Sequence, residues 1–398
     1  MKKLLALILA AIMTLGVLPM TALAKDADDD PSAYGEDYTA ADSVAVWATI
    51  SNDGMPIMGM DGTILSHIDV KVPYFDLKLY GMEDFYLENN GELVKRPTVL
   101  HLYIYMLERY YMGLSEDKCG KGTSGVMTYA GETSVPYMDG TTAYNSEEKS
   151  ALYITGSSGS MYMSNFWGHD ENLMYYRNHL YPLLSEGWGS SADVIPLSDG
   201  DSIDLAMFSN WSFYNYGAFA CFGKDTYKLS AGESVEMNVF KYETKSSVQG
   251  GSESFVPFNG VDVKLYDSNW KLISSDYTID ENGKLNFTAP QQAGTYYLLG
   301  IDPSAKTEDA CIAPASAKII VEGGSAPEIL YGDVNGDGKV DSLDAMFIYA
   351  CHNGKKALSE KQRLAADVNG DGKVDSFDAM LVYAYHNGKI KKFPIENK

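Results

Sequence analysis

The sequence predicts a multidomain, mainly β chain: an α+β domain, then a β-sandwich, then a small all-α module. Three observations carry that expectation. Short runs of alternating apolar and polar residues, separated by Gly, Asn and Asp turns, recur from Ser43 to Glu322. One longer run with helical spacing, "RPTVLHLYIYMLERYYMG" at 96–113, interrupts them. The decapeptide "DVNGDGKVDS" stands twice, at 333–342 and 367–376, and each copy leads into an apolar segment of helical period.

The chain opens on "MKKLLALILAAIMTLGVLPMTALA", two lysines and a short apolar run closing on Ala22-x-Ala24. This pattern predicts a secretory signal peptide, 1–24. Residues 25–38 are an acidic leader expected to be disordered. No other long apolar run follows, so no direct membrane insertion is expected and the mature chain is expected to be secreted and extracellular. The formal charge is −23, and removing Lys2 and Lys3 with the leader makes it two units more negative. Such acidity argues against nucleic acid or an anionic membrane as partner. The four cysteines, Cys119, Cys221, Cys311 and Cys351, show no CxxC and no metal spacing with histidine. A Cys119–Cys221 bridge and free thiols both remain open, and Cys351 is expected to pack on its helix.

The first domain is expected over 39–224. "SVAVWATIS" alternates as a strand, "NDG" turns, and "HIDVKVPYFDLKLYG" is further strand broken at Pro73. In the helix, Pro97 sits at the start, Val99, Leu102, Tyr103, Met106, Leu107 and Tyr110 share a face, and Gly113 ends it. "SALYITGSSGSMYM", "ENLMYYRNHLYPLL" and "DVIPLSDGDSIDLAMFSNW" add short strands and turns. The order of strand, helix opening on "TVL", aromatic strand and "LxDGDxI" turn resembles the small α+β domain at the carboxy-terminal end of transcobalamin. That resemblance implies a fold more than a function. Asn178-His179 replaces the family's Asn-Gly turn, an insertion at roughly 182–192 separates two motifs, and the helical barrel that completes the cobalamin site has no counterpart here.

Residues 225–322 are expected to form an immunoglobulin-like β-sandwich. "YKLSAGESVEMNVF", "GVDVKLYDSNWKLIS", "GKLNFTAPQQAGTYYLLGI" and "SAKIIVE" alternate without helical period, and "DSNWK" and "DENGK" are hairpin-like connections. "GGSAP" opens a linker, 323–330.

The all-α module, 331–394, is built on the repeated decapeptide. Counted from its first aspartate, the first copy places Asp333, Asn335, Asp337, Lys339, Asp341 and Asp344 at positions 1, 3, 5, 7, 9 and 12. The second places Asp367, Asn369, Asp371, Lys373, Asp375 and Asp378 there. This is the spacing of an EF-hand loop: alternating oxygens wrap a hard cation, Gly at position 6 allows the turn, and position 7 offers its carbonyl. Position 9 acts through water, and the carboxylate at 12 closes the shell. Two copies argue against a mere Asx-rich turn, and two bound Ca2+ are expected.

Each loop is followed by one helix, "SLDAMFIYACHNGK" or "SFDAMLVYAYHNGK", with Leu343, Met346, Phe347 and Ala350 at helical spacing in the first. A loop with only its exiting helix, duplicated, resembles the type I dockerin family, over about 332–394. The resemblance implies a module that folds on calcium and docks on a cohesin of a scaffoldin in a cellulosome-like complex. The family's partner-reading positions match Ser342, Leu343 and Tyr349 in the first copy and Ser376, Phe377 and Tyr383 in the second. Near-identity of the copies implies that either face could engage the cohesin, and Leu343 against Phe377 departs from that symmetry.

Catalysis has little support. Glycosidases need two facing carboxylates, and the candidates, Asp170, Glu171 and Glu186, sit in turn-like stretches. Six histidines form no HExxH pair, and there is no G-x-S-x-G or phosphate loop. The 29 tyrosines suggest instead that Trp167, Tyr175, Tyr176 and Trp211 form an exposed platform for a polysaccharide. The expected function is a non-catalytic component recruited by its dockerin, presenting a glycan- or surface-binding domain and surface-associated through the scaffoldin. A polysaccharide-degrading glycoside hydrolase and a small-ligand, cobalamin-like binding protein stay open as alternatives.

Overall fold

The computed structural model describes residues 38–131, 134–144, 150–156, 162–168, 172–179, 191–209, 218–243, 254–323 and 330–397. The expected signal peptide, the leader up to residue 37, Trp211 and the acids Asp170, Glu171 and Glu186 lie outside these residues. The architecture is mostly β with few helices. Two compact units divide the chain: residues up to 291 with 295–322, and 292–294 with 323 onward.

The first unit is built around β1 (Ser43–Asn52), β2 (Met55–Pro56), β3 (Ile68–Pro73), β4 (Asn172–Arg177) and β5 (Ser202–Phe208). They form one sheet in the order β4-β5-β1-β2, with β3 also paired to β1. β1 and β5 run parallel, Trp47 opposite Ser202 through Asn52 opposite Met207. Every residue of β5 is buried, as is β1 from Val46 to Asn52 except Ser43 and Ala45 before them. A parallel pair covered on both faces needs such near-continuous apolar runs.

The helix α1 (Val99–Met106) is buried at all eight positions. It is therefore not the one-faced helix its spacing predicted. Thr98 precedes it, and the Thr98 amide donates to His101 Nδ1 at 3.1 Å, closing the first turn in capping-box fashion. Beyond Met106 the chain widens into a π turn, Leu107–Tyr111, before Gly113. This turn carries Glu108, which is fully buried. Its carboxylate accepts from Tyr80 Oη at 2.8 Å, from Ser124 Oγ at 2.5 Å and from the Gly120 amide at 2.7 Å. Three donors offset the desolvation of that charge.

Ten further strands follow: β6 (Ala218–Phe222), β7 (Thr226–Ser230), β8 (Ser234–Glu243), β9 (Ser254–Pro257), β10 (Asp262–Asp267), β11 (Leu272–Ser274), β12 (Lys284–Thr288), β13 (Gly294–Ile301), β14 (Ile312–Ala313) and β15 (Ala315–Glu322). One sheet runs β9-β8-β6-β14 with β12 on β8, and the other β7-β15-β13-β10-β11. Phe222, Met237, Val239, Leu285 and Phe287 of the first share an apolar core with Leu229, Val263, Leu298, Ile319 and Val321 of the second. The alternation in β15, buried at every second residue from Ala315, is the period-2 signature of a strand with one face inward.

The core around α1 and the sandwich core are separate clusters, and a third cluster joins residues on both sides of the expected boundary between 224 and 225. β6 pairs antiparallel with β8, Ala218 opposite Glu243 through Phe222 opposite Val239. Met174, Tyr176, Ala206 and Phe208 pack in one cluster with Phe219, Cys221, Tyr242 and Ala313. Leu299 and Ile301 join the core around α1. The seam also carries buried polar groups: His179 Nε2 lies 3.0 Å from Asp225 Oδ1, both nearly unexposed.

The second unit contains α2 (Ser342–His352), α3 (Glu360–Ala366) and α4 (Ser376–His386). Its core is two-fold repeated: Val334 and Val368, Ala345 and Ala379, Ile348 and Val382, with Leu358, Ala366 and Phe393. α3 was not expected from the sequence, although "SEKQ" carries its signal. Ser359 accepts from the Gln362 amide, and Gln362 accepts from the Ser359 amide at 3.0 Å. The two ends of the module meet: Phe393 stacks on Tyr385 at 4.7 Å, and a Cβ on Gly332 would stand 2.8 Å from the Phe393 ring. Gly332 also has φ +89, so both space and backbone conformation require glycine there.

Candidate functional site: two acidic loops and the helix faces beside them

The two loops have the same internal geometry. In the first, Asp333 accepts from the Gly336 and Gly338 amides at 2.8 and 2.9 Å. Asn335 Oδ1 accepts from the Asp337 amide at 2.9 Å, and Asp337 Oδ1 from the Lys339 amide at 2.8 Å. In the second, Asp367 accepts from the Gly370 and Gly372 amides at 2.7 and 2.9 Å. Asn369 Oδ1 and Asp371 Oδ1 accept from the Asp371 and Lys373 amides at 2.8 and 2.9 Å. These bonds curl each loop on itself and hold its short acceptors in register. Gly338 and Gly372 both sit at φ +83 with open space where a Cβ would be. Their requirement is conformational, not steric.

Positions 9 and 12 tie each loop to its helix. Asp341 Oδ1 accepts from the Leu343 amide at 2.7 Å and caps α2, and Asp375 does the same for α4 through Phe377 at 2.7 Å. Asp344 is fully buried and accepts from the amides of Val334, Asn335 and Asp341 at 2.9, 3.0 and 2.9 Å. Asp378, equally buried, accepts from Asn369 and Asp375 at 3.3 and 3.0 Å. Burial pushes the Asp344 carboxyl above its ordinary value; the three amides pull it back, and the Asp333 charge adds to the rise. Asp378 is raised by burial in the same way, with Asp367 and Asp375 adding to it.

Among the described residues no three His, Cys, Asp or Glu side chains converge as ligands of one ion. The loop carboxylates are engaged by backbone amides instead. The donor set nevertheless suits a hard cation, being all oxygen, and in each loop acidic side chains repel one another across it. A soft or nitrogen-preferring metal finds no thiolate or imidazole there.

The exposed apolar residues of the module fall in two matched rows. Leu343, Met346 and Tyr349 are 51%, 65% and 57% exposed on α2; Phe377, Met380 and Tyr383 are 50%, 55% and 56% exposed on α4. Residues three apart lie on one helix face. Ser376 beside the second row is exposed and Ser342 half-buried. Leu343 and Met346, read as part of an apolar helical stripe, thus point outward, and the core face is Ala345 and Ile348. Met346 and Met380 were not among the expected partner-reading residues. Their signal was their equivalence in the two copies, midway between Leu343 and Tyr349 or Phe377 and Tyr383.

The expected aromatic platform is overturned. Trp167 is 1% exposed, with Tyr111 and Phe166 rings 5.3 and 6.0 Å away. Tyr176 is equally buried, 4.8 Å from Phe219. Tyr175 is half-buried and meets Tyr103 edge-on at 5.9 Å. Trp167 lies in the turn just past a strand, at φ +58, while Tyr175 and Tyr176, adjacent on β4, face the core around α1 and the cluster with Phe219 on opposite sides of a sheet covered on both faces. Cys119 and Cys221 are both free and buried, so the bridge left open does not form. Burial pushes the Cys119 thiol up to about 12. The acids of the "LxDGDxI" turn are braces: Asp199 accepts from the Ala45 amide at 2.8 Å, and Asp201 pairs with Arg177 Nε at 2.9 Å.

The model of the dockerin type I domain matches residues 331–386. No curated protein matches the chain. Among solved structures, the chain is similar to the ScaB dockerin of Acetivibrio cellulolyticus, in complex with the third cohesin of ScaC and mutated in its N-terminal helix. That match is 45% identical, covering 18% of this chain and 100% of the other, at a TM-score of 0.17. The counterpart mutated in the C-terminal helix matches with the same values. The N-terminal four Ig domains of Dscam1 isoform 4.4 match at 9% identity, covering 46% of this chain and 34% of the other, at a TM-score of 0.15. Nothing in these matches supports the expected resemblance of 39–224 to transcobalamin. The duplicated loop, the two helices it caps and the matched family place the carboxy-terminal segment, 331–386, in the dockerin type I family.

Proposed function

We propose that the chain is an extracellular, non-catalytic component of a cellulosome-like assembly, attached by docking of its carboxy-terminal module on a cohesin of a scaffoldin. The observation that carries this reading is the pair of matched, half-exposed apolar rows beside two acidic loops. An exposed row of Leu, Met and Tyr is costly to leave in water and characteristic of a docking face. No helix among the described residues is long and apolar enough to cross a membrane, and attachment through a partner supplies surface association.

Two calcium ions complete the module in this reading. Asp333, Asn335, Asp337, the Lys339 carbonyl and Asp344 hold one, with Asp341 through water; Asp367, Asn369, Asp371, the Lys373 carbonyl and Asp378 hold the other, with Asp375 through water. Calcium supplies charge that offsets the repulsion among the loop acids, and the side chains then exchange amide contacts for the ion. Ser342, Leu343 and Tyr349, or Ser376, Phe377 and Tyr383, meet the cohesin. Residues 218–322 are an immunoglobulin-like β-sandwich, supported by their two facing sheets, and the first unit presents the glycan- or surface-binding function.

The test is a pull-down of the full-length protein on a panel of type I cohesins. Binding in millimolar calcium, abolished by excess chelator, is expected. Retention that ignores the chelator, or none on any cohesin, would refute the proposal.

A further inference from the structure

A pocket of about 180 Å³ opens in the first unit, between the segment that follows β3 and the hairpin formed by Glu88–Asn89 and Glu92–Leu93. We infer that this pocket, walled by Tyr74, Phe85 and Tyr86, is a binding site for a single neutral sugar ring of a glycan. The inference rests on the glycan-presenting reading above and replaces the buried Trp167 cluster as its location.

The pocket is preformed at its base. Tyr74 stacks on His101 at 5.3 Å, and His101 is fixed on both sides, Nε2 against the Phe75 carbonyl and Nδ1 against Thr98 Oγ1, each at 2.9 Å. The Tyr74 ring therefore stands on a rigid support. Tyr86, 39% exposed, and Leu93, 52% exposed, form the mouth. Size limits the occupant: a cavity of about 150 Å³ admits one benzene ring, so this volume takes one six-membered ring and not a stacked pair.

The rim selects the chemistry. Asp76, Lys78, Glu83 and Lys95 are all exposed around it, two acids against two lysines. Lys78 Nζ and Glu83 stand 3.9 Å apart, too far for a tight pair, so both retain capacity for other partners. The exposed rim charges balance; Arg96, which also lines the pocket, is buried and bonded to the Leu197 and Thr39 carbonyls, and the rim's donors and acceptors suit the hydroxyls of a polyol. Aromatic walls suit the C–H faces of the same ring. A neutral, ring-shaped, hydroxyl-bearing ligand satisfies all three constraints.

Saturation-transfer NMR on the full-length protein with glucose, xylose, galactose, mannose and arabinose, each at tens of millimolar, tests the inference. At least one sugar should bind, and Tyr86→Ala should weaken it by at least about tenfold with the melting temperature unchanged, since Tyr86 lies at the surface. Lys95→Met should weaken the same sugar without unfolding the protein. Sugar binding indifferent to both variants would overturn the pocket and leave the glycan reading standing. Failure of every sugar, with no retention on insoluble polysaccharide either, would overturn both. Binding of acetate or butylamine in place of any sugar would overturn the neutral-ring assignment.

Discussion

At the scale of single residues, the aspartates that open the two loops are half-buried while Trp167 is fully buried. Asp333 and Asp367 stand at the first position of their loops, each gripping two glycine amides. Asp333→Ala combined with Asp367→Ala should abolish calcium-dependent cohesin binding, read by isothermal titration. Trp167 belongs to the core, so Trp167→Ala should cost about 3–5 kcal/mol in denaturant unfolding. A loss within about 0.5 kcal/mol, the range of a surface site, would contradict its burial. The seam of the first unit holds a titrating group. Burial raises the Asp204 carboxyl from 3.8 to about 7; the facing His179 lowers it and Asp225 raises it. His67 nearby is driven by burial from 6.5 down to about 4. A raised carboxyl favours folding fully below its unfolded value and loses that contribution as pH rises through the folded one, so Asp204 withdraws stability between 3.8 and about 7. A depressed histidine does the reverse: its contribution is present above 6.5 and lost as pH falls toward 4. The two oppose each other between about 4 and 6.5, and above that Asp204 acts alone. Asp204→Asn should therefore gain on the unmodified protein in melting temperature from pH 5 to pH 8, and a difference independent of pH would refute the assignment.

At the scale of elements, loop and helix are one device in the second unit. The position-12 carboxylates Asp344 and Asp378 are also the third residues of α2 and α4, bonded back to the amides of Asp341 and Asp375. Removing the cation leaves buried, mutually repelling carboxylates at the helix starts, where only the amides hold them. Excess chelator should lower the helical circular dichroism of the full-length protein and calcium should restore it; magnesium, which prefers strict octahedral geometry, should restore less. A spectrum unmoved by chelator would separate the helices from the loops. The π turn after α1 shows the converse case, an element bent by a side chain. Three donors gather on Glu108, and widening the turn brings the carboxylate to them.

For the whole molecule, the compact units divide at residue 322, and a small apolar cluster ties the two cores of the first unit together. Truncation after Glu322 leaves the first unit with its apolar clusters intact, so its melting should be unchanged while cohesin binding is lost. Truncation after Lys224 should fail to give a soluble fold. It strips Tyr242 and Ala313 from the cluster that holds Tyr176 and Phe219, and Leu299 and Ile301 from the core around α1. Recovery of a cooperative melt from residues 39–224 would show that the shared core is dispensable.

The two loops and the helix each one caps were legible because their information is local, whereas α3 and the outward-facing Met346 and Met380 were not. Asp333 to Asp344 span one loop, and spacing alone tells which glycine needs positive φ and which helix the loop caps. The strands of the first unit were legible as strands for the same reason, since Val46, Ala48 and Ile50 alternate within a few residues. What lay beyond the sequence was contact between distant segments. Whether Trp167 faces water depends on Tyr111, and whether Phe219 belongs to one domain or another depends on Tyr242 and Ala313, all far off in the chain. Leu343 and Ile348 are equally apolar, and only the packing of α2 against Val334, Val368 and Val382 sends one outward and the other inward. Apolar burial is non-directional, so composition states how much surface a segment can hide, while the partner that hides it is chosen by the folded chain.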